Sequence, residues 1–191
     1  MTIVDPVGVC HQLLWINGAF GSGKTTTARL LLEAHPHAVL FDPEEVGSML
    51  RASLQPVKPV RDFQEWAAWR QVVAASLNAL FGELSDSSHL VVIPQTITTE
   101  TYWWDIRSAL DPNIDMSAVA LRVDKDEHRR RVLTDSEEPG AAKWRLAKYD
   151  TFEESDWIRS TFTNVDVTEM EPADVAVALQ EIVNASTSRG V

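Results

Sequence analysis

Eight consecutive residues, Gly18 to Thr25, read G-A-F-G-S-G-K-T and match G-x-x-x-x-G-K-[ST] in full. Nothing else in the chain constrains the fold as tightly, because this spacing works only between a strand and a helix. Its glycines let the backbone wrap closely around an anion. The N–H groups of the loop then point inward at that charge. Lys24 reaches terminal phosphates, the Thr25 hydroxyl suits Mg²⁺, and the following helix aims its positive end at the same place. The candidate nucleotide-contacting residues are therefore Gly18, Ala19, Phe20, Gly21, Ser22, Gly23, Lys24, Thr25 and Thr26, with Thr25 as the metal candidate.

The flanks agree with the motif. Leu13, Leu14, Trp15 and Ile16 form an apolar run before it, as a buried parallel strand does. Ala28, Leu31 and Leu32 form a helical stripe after it, ending before Pro36. The same alternation continues downstream. Strands are expected at Gln12–Asn17, Ala38–Phe41, Leu90–Ile93, Ala118–Val123 and Thr163–Val167. Helices are expected at Lys24–Ala34, Glu44–Leu50, Thr99–Leu110, Lys125–Leu133, Ala141–Glu154 and Pro172–Asn184. One further long helix is expected after Asp62, with Glu65 completing a capping box.

This pattern predicts an α/β fold: a five-stranded parallel sheet with helices on both faces, in a single domain over 1–191. In such sheets ligands sit beyond the carboxyl ends of the strands. That places Asp42, Gln95, Thr96 and Asp124 beside the glycine loop.

Composition narrows the partners. The net charge of −11 argues against a sequence-independent nucleic-acid binder, which needs a basic face. The single cysteine, Cys10, excludes an internal disulfide framework and fits a reducing cytosol. No leader pattern and no apolar run of membrane-spanning length is present, so a cytoplasmic location is expected. Guanine-reading N-K-x-D is absent, since Asp124-Lys125-Asp126 has the wrong spacing. No apolar strand ending in Asp-Glu follows the loop, which argues against a motor or AAA-type ATPase and leaves the small-molecule kinases.

W-I-N-G-A-F-G-S-G-K-T at Trp15–Thr25, F-D-P-E-E-V-G-S-M-L at Phe41–Leu50 and V-V-I-P-Q-T-I-T at Val91–Thr98 carry a closer likeness, with D-F-Q at Asp62–Gln64 and W-x-x-W-R at Trp66–Arg70 between them. In order and content these segments resemble the tunicamycin resistance protein family of bacterial ATP-binding proteins. More distantly they resemble nucleoside monophosphate, shikimate and chloramphenicol kinases. The resemblance implies a P-loop NTPase fold of the nucleoside-kinase type with a helical lid near 134–154. It also implies ATP, Mg²⁺, a small nucleoside-like acceptor and antibiotic resistance.

Further candidates follow from the resemblance and from position. Asp42 either takes or holds the acceptor hydroxyl proton or caps the next helix, and the two roles are compatible. Arg51, Trp66 and Arg70 lie in segments that form the acceptor side of similar kinases; core packing is the competing reading for Trp66. Gln95 and Thr96 either contact substrate or simply end a strand. Among Arg129, Arg130 and Arg131, successive positions point different ways. Arg131 best fits the lid arginine of small kinases, as a catalytic and nucleotide-binding residue with Lys24. The next lid arginine is replaced near Asp135, where Lys143, Arg145 or Lys148 can compensate. Two other readings stay open: a protein that sequesters an antibiotic with ATP bound, and a housekeeping nucleotide or sugar kinase.

Overall fold

The structure, a computed structural model, describes residues 12–84, 89–135, 140 and 142–187. Cys10 and residues 136–139 and 141 of the expected lid segment lie outside these residues. Five parallel strands form one sheet in the order β2-β3-β1-β4-β5. They are β1 Gln12–Gly18, β2 Ala38–Leu40, β3 Leu90–Pro94, β4 Asp115–Arg122 and β5 Thr163–Asp166. The helices are α1 Lys24–Ala34, α2 Pro43–Leu54, α3 Ala67–Glu83, α4 Glu100–Ala109, α5 Lys125–Thr134, α6 Ala142–Glu153, α7 Asp156–Thr161 and α8 Pro172–Thr187.

β1 is central because it is apolar on both faces. Leu13, Leu14, Trp15 and Ile16 are all 0% exposed. Each such side chain contributes roughly 1.5–3 kcal/mol on burial. Trp15 stands in register with Ile93 of β3 and Ala118 of β4. The chain fills β2 and β3 on one side of β1 and then crosses to β4 and β5. The carboxyl end of β1 therefore lies at the point where the strand order reverses, and the glycine loop leaves from it.

Three expectations are corrected. The capping box at Asp62 and Glu65 is present, but it heads a single 3₁₀ turn, Phe63–Glu65. Trp66 is extended, and α3 begins only at Ala67. The break lets the Trp66 indole bury itself and donate to the Lys58 carbonyl at 2.8 Å. The expected helix Ala141–Glu154 is followed by a second short helix, α7, which restarts at Asp156. α8 continues to Thr187, past the expected Asn184, because Ser186 bonds to the Ile182 carbonyl at 3.1 Å and to Ser117 of β4 at 2.8 Å. Among the described residues, no helix is long and apolar enough to cross a membrane.

Candidate functional site

The loop between β1 and α1 is tied down from behind. Asn17, fully buried, accepts from the backbone N–H groups of Gly18 at 2.9 Å and Ile97 at 3.0 Å and donates to the Ile97 carbonyl. Thr96 Oγ1 donates to the Gly18 carbonyl at 2.7 Å. The end of β3 is thus stitched to the start of the loop. Gly21 and Gly23 take φ of 88° and 98°, the left-handed region that a side chain disfavours. Lys24 Nζ donates to the Gly18 and Ala19 carbonyls at 2.9 and 3.0 Å. Burial pushes its pKa from 10.5 down to about 7; nearby Glu44 opposes that shift and Arg145 adds to it. Thr25 and Thr26 are exposed at the first turn of α1.

α5 and α6 close the opposite side. Arg131 is half-buried and spans two segments. Its guanidinium donates to the Ser22 carbonyl in the loop at 3.4 Å and to the Val167 carbonyl after β5 at 2.7 Å. Glu127, one turn earlier, holds it at 2.6 Å. Arg130 donates to both Glu127 oxygens at 2.6 Å at the cleft edge, and Arg129 is exposed; of the three arginines, Arg131 is the one that hydrogen-bonds to the loop. From α6, the Trp144 ring packs on Phe20 of the loop, centroids 4.3 Å apart. Arg145 pairs with Asp135 and lines the same cleft as the loop, as does Lys148.

These elements enclose one cleft of about 1390 Å³. Beyond the phosphate loop its wall is built from Glu44 and Arg51 of α2, from Arg61 to Gln64, and from Gln95 and Thr96 after β3. Gln95 is buried, and its Oε1 has no hydrogen-bond partner among the described residues. The structure therefore brings together Phe20 to Thr26 of the loop, Arg51, Gln95, Thr96 and Arg131.

Six sequence-predicted residues do not line the cleft: Gly18 and Ala19, whose carbonyls accept from Lys24, Asp124, which caps α5, and Asp42, Trp66 and Arg70. Asp42 caps α2, accepting from the Glu44 N–H at 2.9 Å, and it is Glu44 that faces inward. Trp66 is core, 1% exposed. Arg70 sits behind the wall, where it pairs with Asp105 at 2.8 Å, donates to the Gln64 carbonyl and lies 4.3 Å from the Tyr102 ring centre. Its expected contact with an acceptor becomes a brace for the Asp62–Glu65 turn. Sequence reasoning missed Asn17 and His128. Asn17 carries a signal, a polar residue ending an apolar strand. His128 carries none, since its partner is the Phe20 carbonyl 108 residues away.

A family described as AAA domain matches residues 13–148. Among curated proteins none matches this chain in sequence. Among solved structures, the fold is similar to that of a tunicamycin resistance protein from Deinococcus radiodurans, with a TM-score of 0.67 and 24% identity over 91% of this chain and 96% of that one. A gluconokinase from Sinorhizobium meliloti is similar at a TM-score of 0.59 and 18% identity, covering 94% of this chain and 98% of the other. A shikimate kinase from Acinetobacter baumannii, in complex with shikimate, is similar at 0.57 and 17%, covering 93% and 94%. The resemblance read from the N-terminal motifs thus extends to the fold. The expectation that a chain lacking strand-terminal Asp-Glu falls outside the AAA group is corrected. β3 does run into Pro94-Gln95-Thr96, yet the match extends from β1 into α6. With a five-stranded parallel sheet and a phosphate loop on its central strand, the chain belongs to the AAA domain family and has an α/β P-loop NTPase fold.

Proposed function

We propose that the protein is an ATP-dependent phosphotransferase that moves a phosphoryl group to a hydroxyl of a small, nucleoside-like or sugar-like acceptor. The observation that carries this reading is the continuity of the cleft. A single small-molecule site occupies roughly 300–1,000 Å³, and this cleft has about 1390 Å³. One end is the phosphate loop. The other is a polar wall that supplies a carboxylate, guanidinium groups and a buried amide oxygen in want of a donor.

Lys24 and the loop N–H groups hold the phosphates. Thr25 offers a hard oxygen, which fits Mg²⁺. Among the described residues no group of three or more His, Cys, Asp or Glu could hold a metal alone, so Thr25 would share the ion with phosphate oxygens. The ion, when bound, neutralises charge on the transferring group. Glu44, in place of Asp42, takes or orients the acceptor proton. Gln95 Oε1 accepts from the acceptor hydroxyl or from a water, and Arg131 and Arg145 balance charge at the phosphates. α6 serves as the lid, and ATP is drawn from the cytosol. Likeness to the D. radiodurans protein supports tunicamycin as the first acceptor to try; the gluconokinase and shikimate kinase support transfer to a hydroxyl.

The test is mass spectrometry of tunicamycin, gluconate and shikimate after incubation with ATP and protein. A gain of one phosphate on an acceptor is expected. Glu44→Gln should lower turnover roughly a hundredfold, whereas Asp42→Asn, which still caps, stays within about threefold of wild type. Bound drug with bound ATP and no mass gain would make the protein a sequestering one.

A further inference from the structure

α5 presents His128, Arg131 and Val132 on one face, at i, i+3 and i+4. That face lies against the phosphate loop, with Arg131 reaching the cleft and His128 and Val132 standing outside its lining. His128 Nε2 is 2.7 Å from the Phe20 carbonyl oxygen, and Arg131 donates to the Ser22 carbonyl. Val132 fills the space beside Gly21, where an added Cβ would come within 2.8 Å of Val132 Cγ2. A trans peptide points its C=O and its N–H in opposite directions, and no described peptide bond is cis. A Phe20 carbonyl held outward therefore turns the Gly21 N–H inward. Gly21 has positive φ and few conformational limits, so its peptide needs such an external hold.

We propose that His128 is a positioning residue of the phosphate loop: it donates Nε2–H to the Phe20 carbonyl and so keeps the Gly21 N–H turned into the anion cradle. This rests on the reading of the loop as a nucleotide site. A carbonyl only accepts, so Nε2 carries the proton and Nδ1 is bare. The ring is 1% exposed and packs on Tyr149 at 4.5 Å. Tyr149 is itself anchored by donating to the Val123 carbonyl at 2.7 Å. The imidazole is thus locked between α6 and the loop. Burial lowers its pKa and keeps it neutral, an effect that Lys24 and Arg131 reinforce and that the Phe20 bond and Glu153 oppose.

The experiment is calorimetric titration of a non-hydrolysable ATP analogue with Mg²⁺ into wild type, His128→Leu and His128→Gln. Leu keeps the bulk without a donor, and Gln returns an N–H at similar reach. His128→Leu should weaken binding about five- to tenfold, the worth of one hydrogen bond, and His128→Gln should recover to within about threefold of wild type. Unchanged affinity in His128→Leu, or equal weakening in both variants, overturns the proposal. If His128→Leu fails to fold, ¹⁵N NMR of the wild-type imidazole decides. The Nε2–H tautomer is expected at neutral pH, and a protonated Nδ1 overturns the assignment. A wild type that binds no analogue defeats the nucleotide reading, while the tautomer still reports whether His128 holds Phe20.

Discussion

Lys24 is a cation in a place that resists charge. Its ammonium has two carbonyls for company and almost no water. Burial holds its pKa near 7, against 10.5 in an unfolded chain. Between these values the unfolded chain binds a proton that the folded one releases. Stability therefore rises with pH across that window, and below it the buried ammonium costs free energy. A polyphosphate reverses the preference, because it needs the ammonium. We expect ATP binding at about pH 8 to draw close to one proton from solution, falling toward zero at about pH 6. Calorimetry in buffers of different ionisation enthalpy measures this. Lys24→Ala should lose the uptake together with the affinity, and no uptake in wild type would mean that Lys24 is already charged. The identity of this lysine was legible in the sequence, but its depressed pKa was not, since burial and the nearby Arg145 come from elsewhere in the fold.

At the scale of elements, amphipathic periodicity located most of the helices, and it failed where one side chain overrode it. Trp66 is the clearest case: burying its indole breaks the expected continuous helix into a 3₁₀ turn and α3. The turn in between forms part of the cleft wall, and Arg70 of α3 braces it from behind. Arg70→Met should raise the acceptor KM roughly tenfold and leave ATP affinity near wild type, with a stability loss of about 1–3 kcal/mol from the unpaired partners. Steady-state kinetics and urea unfolding check this. Parallel shifts in both substrates would show that the brace serves the whole site. An exposed arginine at position 131 would matter little to folding. In the structure it is half-buried and bonds to the carbonyls of Ser22 and Val167, so it joins α5 to two loops.

The whole molecule converges on one cleft. The phosphate loop, α2, the end of β3, α5, α6 and the segment after β5 all contribute to its wall. A ligand that touches so many elements should stabilise them together. ATP at a hundredfold excess over its Kd should add about 2.7 kcal/mol, or roughly 5 to 10 °C in Tm for a chain of this size. A thermal scan with and without Mg·ATP measures it, and an unmoved Tm would place the nucleotide elsewhere or nowhere.

By itself the sequence determined the phosphate loop, the parallel α/β class and most element positions, because each of these depends on residues within a few turns of one another. Strand–loop–helix chemistry at Leu13–Leu32 is local, and so is the two-faced apolar run of β1. Only the tertiary structure decided that β1 lies between β3 and β4, that Glu44 rather than Asp42 faces the cleft, and that Arg70 and Trp66 stand behind it. It alone brought His128 to the loop. The direction of a side chain into a cleft is set by which elements pack against its own, and those contacts join residues as far apart in sequence as Phe20 and His128.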